Sequence, residues 1–181
     1  MVAFHHIMAH FPIALLLIST LFMLLRSVSN HAVIIKLEQS TPGLLVFGLL
    51  GSLAAFITGM ILWPYEAAIA SPMAKNKILF SAWAMMAWLC VAAIRMRAGP
   101  SLWESVLRWP VAILAVIAAL MLSISGALGG YLMGSPSDFS VLLNLLGWNV
   151  YQTFYSASWG IILAMVTSLL ILFAGFARKV H

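Results

Sequence analysis

The chain has 181 residues, of which 64% are hydrophobic and 7% charged, with 9 Lys and Arg against 4 Asp and Glu. A soluble domain keeps about a quarter of its residues charged to hold its surface in water. This composition, with a mean hydropathy of +1.10, excludes a water-facing surface over most of the molecule. The formal charge of +5 is dispersed between apolar runs, which reads as membrane topology and excludes a nucleic-acid footprint.

A hydrocarbon core about 30 Å thick needs roughly 20 residues of helix, and five stretches qualify. The first runs from about His6 to Leu25 and is closed by Arg26. Its start lacks a basic n-region and a small-residue cleavage site, so it is expected to be a span and not a removable signal. The second follows "STPG", where Ser40 or Thr41 is placed to cap and Pro42 falls in the first turn; it ends near "LWPYEA". The third begins after Ser71 and Pro72 and runs to Arg95. "SLWESVLRW" then reads as a short interfacial helix, with Ser101 and Glu104 at capping-box spacing and Leu102, Val106 and Trp109 on one buried side. The fourth span runs from Pro110 to about Met133. "DFSVLLNLLGWNVYQTFY" reads as a second interfacial segment before the fifth span, roughly Ser156 to Phe176, which ends ahead of Arg178 and Lys179. The expected fold is an all-α integral membrane protein, a five-transmembrane-helix bundle with short interfacial helices.

Loop charges orient that bundle. With five spans, one set of loops carries Arg26, Lys36, Arg95, Arg97, Arg108, Arg178 and Lys179, and the opposite set only Lys75 and Lys77. Seven against two places the N-terminus outside and the C-terminus in the cytoplasm; in a bacterium the outer side is the periplasm. Small residues at four-residue spacing supply packing faces: Gly51, Ala55 and Gly59; Gly126 and Gly130; Gly160, Ala164 and Ser168. Such residues let backbones approach where lipid gives little hydrophobic drive. The single cysteine, Cys90, lies in an apolar run, so no disulfide or cysteine metal site forms within one chain.

Chemistry concentrates at the outer rim. His6 and His10 are four apart, on one helical face, a spacing that suits two ligands to one metal ion, with Glu66 as a further ligand candidate. Two axial haem ligands must approach from opposite sides of the ring, so that pair alone does not hold a haem. His5 is turned about 140° from His10. If the helix begins ahead of Pro12, the proline frees the carbonyl of Met8. An ionisable residue at membrane depth is a functional candidate, which singles out His10. Trp63, Tyr65 and Met133 share its side of the membrane as possible cofactor contacts. Asp138, Lys75 and Lys77 are further candidate partners on that side, with snorkelling the plainer reading for Lys77, which opens the third span. His31 and His181 are expected to be solvated. The spans contain almost no charges, which argues against a transporter or channel. Ser123 and Ser125 have no base nearby, and intrahelical bonding accounts for them.

"AHFPIALLL" in the first span, "ITGMILWPYEA" closing the second and "SGALGGYLMG" closing the fourth together resemble a widespread bacterial membrane domain of unknown function. It has four transmembrane helices and a His-Phe-Pro, Thr-Gly-x-x-Asp-Trp and Leu-Gly-Gly pattern. The resemblance covers about residues 1–138, leaving 139–181 as an interfacial segment plus an added fifth helix. Members of that family are sometimes joined to Rieske iron–sulfur or cytochrome c modules, which implies a setting of electron transfer, and His10 falls on the family's first-span histidine. This chain departs from the pattern at three places: Asn76 or Lys77 stands where relatives carry a third-span histidine, "MGSPSD" follows Leu-Gly-Gly without one, and Leu62 replaces the acidic residue before Trp63.

Two expectations follow. The chain is an accessory membrane subunit of a respiratory or other redox complex, meeting the lipid bilayer, larger membrane subunits and a periplasmic cytochrome or iron–sulfur protein. Alternatively, it binds haem b, quinone or, less readily, copper or another metal ion itself, through His10.

Overall fold

A computed structural model of the chain describes residues 2–63, 66, 70–134, 138–147, 149, 162–163, 166–167 and 170. The described residues are almost entirely helical, with no strand among them. In chain order they form α1 (Val2–Val28), a short α2 (Ala32–Glu38), α3 (Thr41–Leu62), α4 (Pro72–Ala98), a 3-10 turn (Gly99–Glu104), α5 (Arg108–Leu132) and α6 (Asp138–Leu145). The four long helices are long and apolar enough to cross a membrane. The protein is an all-α membrane bundle. The expected fifth span lies largely outside the described residues, as do Gly160, Ala164 and Ser168. Within it, Ile162, Leu163, Val166, Thr167 and Leu170 are helical, and Thr167 and Leu170 share a narrow cleft with Pro110, Ile113 and Leu114 of α5.

Local chemistry sets most of the ends. Ser71 caps α4 by accepting from the Ala74 N–H at 3.3 Å, and Pro72 fills the first position, where its missing N–H does no harm. Gly99, at φ +58°, stops the same helix in a conformation that L side chains rarely adopt. At α3 the expected cap is not made: the Ser40 hydroxyl turns back to donate to the Leu37 carbonyl at 2.6 Å, and the Thr41 hydroxyl is buried without a partner among the described residues. α1 begins four residues earlier than predicted, so Pro12 falls inside it.

The interfacial helix expected over "SLWESVLRW" is also not what forms. Its first half is the 3-10 turn, and Ser101 donates to the Ala98 carbonyl at 2.6 Å without entering a capping box. Leu102 and Trp103 are buried, whereas Val106 is 86% and Trp109 46% exposed. The turn thus plugs the bundle with an adjacent Leu-Trp pair, and the Arg108 guanidinium stacks over the Trp109 ring at 5.3 Å outside it.

α1 packs against α3 and α5, and α4 packs against α5 and α3, so α1 and α4 face each other across the diagonal. The glycine face of α3 seats α1. A Cβ on Gly48 would fall 2.7 Å from Leu16, and one on Gly51 would fall 3.3 Å from Pro12, so close approach depends on both. On α5 the matching expectation is corrected. A Cβ on Gly126 would sit 4.0 Å from Ile13, which is ordinary contact; the α5 glycines face a cavity and do not bring two backbones together.

The larger of two buried clusters fills one half of the bundle. Leu16, Met23, Leu45, Trp88, Val91, Leu102, Trp103, Val111 and Ala115 form one buried cluster. At that end α2 folds back beside α1, and its Glu38 reaches α4. Arg95 Nε donates to Glu38 Oε1 at 2.5 Å and Nη2 to Oε2 at 3.0 Å, with the side chains 5% and 3% exposed. A second cluster, Phe80, Ile124, Leu128 and Leu143, docks α6 on α4 and α5 near the other end.

Candidate functional site

The half of the bundle away from the Arg95–Glu38 pair encloses a cavity of about 640 Å³. All four long helices wall it: His5 to Leu16, Ser52 to Trp63, Ala74 to Trp88, and Leu122 to Met133, twelve residues on three of them. At 1.5 Å per residue that depth is about 16 Å, close to half of a hydrocarbon core. The mouth lies where α1 and α4 begin and α3 and α5 end. The floor is the top of the dense cluster, at Leu16 and Trp88.

Polar groups occupy both ends of the shaft, and its wall is otherwise mostly apolar. At the mouth, His5 Nδ1 lies 3.0 Å from Thr58 Oγ1. That hydroxyl lies 2.9 Å from the Ala54 carbonyl and 3.1 Å from that of Ala55. Having one hydrogen, which it donates to the helix backbone, Thr58 accepts from His5. In that arrangement the imidazole carries a proton on Nδ1. Gly59 makes room for this ring, because a Cβ there would lie 3.0 Å from His5 Cε1. His10 also lines the mouth and is exposed. With Pro12 inside α1, the Met8 carbonyl lacks its usual i+4 donor.

Lys77 enters the cavity from the opposite wall. Its ammonium lies against Gly129, where a Cβ would come within 3.2 Å of Nζ. No carboxylate pairs with it among the described residues, and no Asp or Glu is among the residues lining the cavity. Midway down, Ser81 and Ser125 join α4 to α5 at 2.5 Å. Ser123 is bonded within its helix, to the Ala119 carbonyl at 2.9 Å, as expected; Ser125 instead bridges two helices. At the floor, the wholly buried Trp88 has no acceptor for its indole N–H, and the Ser52 hydroxyl is likewise without a partner among the described residues. An unmet buried donor costs on the order of 1–3 kcal/mol.

The structure brings together three of the four expected cofactor contacts: His10, Trp63 and Met133 all line the mouth. Tyr65 lies outside the described residues. Of the expected metal set, the His6 side chain is not described, and Glu66 is exposed and does not line the cavity. Among the described residues no group of three or more His, Cys, Asp or Glu gathers to hold a metal ion. A bis-histidine b-type haem does not fit the described residues, because both cavity histidines come from α1 and the facing walls offer no third. His31 is exposed, as expected, and accepts from the Val33 N–H at the start of α2; His181 lies outside the described residues.

The sequence alone gives no role to Ser52 or Trp88; it marks His5 only by its angle to His10, and leaves Lys77 as either a partner at the rim or a snorkelling cation. One signal was present: Lys77, Ser81 and Trp88 recur at i, i+4 and i+11, which puts an ammonium, a hydroxyl and an indole on one face of α4. Comparison with known protein families finds no matching model, and comparisons with curated proteins and with solved structures find no match either.

Proposed function

We propose that the chain is an accessory membrane subunit of a redox complex that receives a lipid-soluble electron carrier, a quinone, in the shaft between its four long helices. The observation that carries this reading is the cavity itself. It is an apolar chamber of about 640 Å³ with a small number of polar groups at fixed positions, the usual make-up of a small-molecule site. A quinone ring is apolar on both faces and carries carbonyl oxygens that accept hydrogen bonds. Trp88 and Ser52 lie among the residues at the floor, and the indole N–H and the hydroxyl are both without a partner among the described residues. His5 and His10 line the route by which a ring enters from the mouth.

The arrangement in the cell follows the loop charges: five spans in a bacterial inner membrane, the N-terminus and the mouth of the shaft on the periplasmic side, and Arg95 and Arg97 on the cytoplasmic side. In that orientation the mouth faces periplasmic electron carriers, and the lipid-facing helices are available to larger membrane subunits. The test is gentle detergent extraction from the native membrane, followed by solvent extraction of bound quinone, an absorbance spectrum and identification of co-purifying chains. Stoichiometric quinone together with a redox partner is the expected result. A preparation that carries neither overturns the proposal.

A further inference from the structure

Among the described residues Lys77 is the one formal charge lining the cavity, and no acidic side chain of theirs answers it. It is half-buried, its tip rests on Gly129, and no carboxylate approaches it among the described residues. The nearest helix end is the C-terminus of α5, just past Gly129, where the dipole favours a cation without supplying a full counter-charge. An ammonium held at the edge of lipid is stabilised by an anion. Below this polar ring the shaft runs about 16 Å between mostly apolar walls.

We infer that the cavity binds a single-chain acidic amphiphile, with its carboxylate on Lys77 and its hydrocarbon chain directed down the shaft. One ammonium matches one carboxylate. Bonds of about 1.5 Å in a zigzag advance roughly 1.25 Å per carbon, so the depth fits a chain of about 13 carbons. The inference goes beyond the redox reading and does not need it, because it rests on the mouth of the shaft and not on the floor. The two ligands would compete for the same apolar walls.

The test uses the full chain in a neutral maltoside detergent, with binding followed by tryptophan fluorescence. The probes are tetradecanoate, its methyl ester, shorter and longer carboxylates, and a short-tailed quinone. The carboxylate is expected to bind about 10- to 100-fold more tightly than the ester, the range of one charge-assisted hydrogen bond. Affinity should peak near 12 to 14 carbons, by the same depth estimate. Lys77→Met should remove the preference for acid over ester while leaving ester binding and the melting temperature in place; Lys77→Arg should keep most of it. Equal binding of acid and ester by the unaltered chain overturns the inference, as does an acid preference that survives Lys77→Met. Quinone binding without carboxylate binding also overturns it, while leaving the proposed function standing. Carboxylate binding without quinone binding does the reverse.

Discussion

Removing one partner of the Arg95–Glu38 pair should destabilise the bundle far more than removing both. Two hydrogen bonds of 2.5 and 3.0 Å join these groups at 5% and 3% exposure, and the pair ties α2 to α4 beside the dense cluster. Glu38→Leu leaves the guanidinium buried and unanswered, which costs roughly 3–5 kcal/mol in comparable sites. For a chain of this length about 1 kcal/mol corresponds to roughly 2–4 °C in Tm, so the expected fall is on the order of 6–20 °C. Arg95→Met should do the same by stranding the carboxylate. The double variant replaces the pair with apolar groups of similar size and should recover to within about 2 kcal/mol of the original protein, or exceed it. The assay is thermal unfolding of all four proteins in one mild detergent, followed by circular dichroism and analysed as a double-mutant cycle. Because the pair is buried, added salt should leave Tm nearly unchanged. Single variants that melt with the original protein, or a double variant that falls by the sum of the two, would refute the reasoning.

The remaining predictions concern the shaft and the lipid face. Trp88→Phe removes an N–H without an acceptor, so it should leave the ligand-free protein about as stable while weakening quinone binding roughly fivefold to tenfold, the range of one lost hydrogen bond; equilibrium titration of both proteins checks it. Gly59→Ala places a Cβ 3.0 Å from His5 Cε1 and should displace that ring from Thr58. A changed His5 ring resonance, with little loss of helix content, is the expected reading by magnetic resonance and circular dichroism. Gly48→Leu, set where even a Cβ comes within 2.7 Å of Leu16, should force α1 from α3 and lower stability by about 1–3 kcal/mol or more. Cys90 is exposed on α4 within a span, so a charged, membrane-impermeant thiol reagent should fail to label it in intact membranes and succeed after denaturation.

The helices were legible in the sequence because their cause is one-dimensional: about 20 apolar residues between polar stops define a span, and Ser71-Pro72 and Gly99 mark ends by local stereochemistry. The directions in which those helices face were not. A helix that meets lipid on one side and protein on the other is apolar all round, so periodicity does not separate its two faces. For that reason His5 and His10, about 140° apart on α1, were not recognisable as flanking one chamber, and the α5 glycines read as a packing face when they border a cavity. The Arg95–Glu38 contact escaped for another reason. Arg95 counted as a topological charge, and nothing near either residue in the chain signals a partner 57 positions away. His10, Trp63 and Met133 meet at one mouth because each stands at a span end on the same side, which charge bias alone locates. Trp88 was missed because an indole amid apolar residues gives no sign that its N–H lacks an acceptor.

The abrupt change from close packing to hollow at Leu16 and Trp88 divides stiffness between the two leaflets. Amides of one helix should differ in protection along its length, slowest to exchange beside the Leu-Trp plug and fastest around Pro12, where the backbone already lacks a bond. A guest molecule would then rigidify only the leaflet it occupies. Anything attached to the opposite face of the protein would register no movement when the chamber fills, so occupancy would be sensed from the chamber's own side of the membrane.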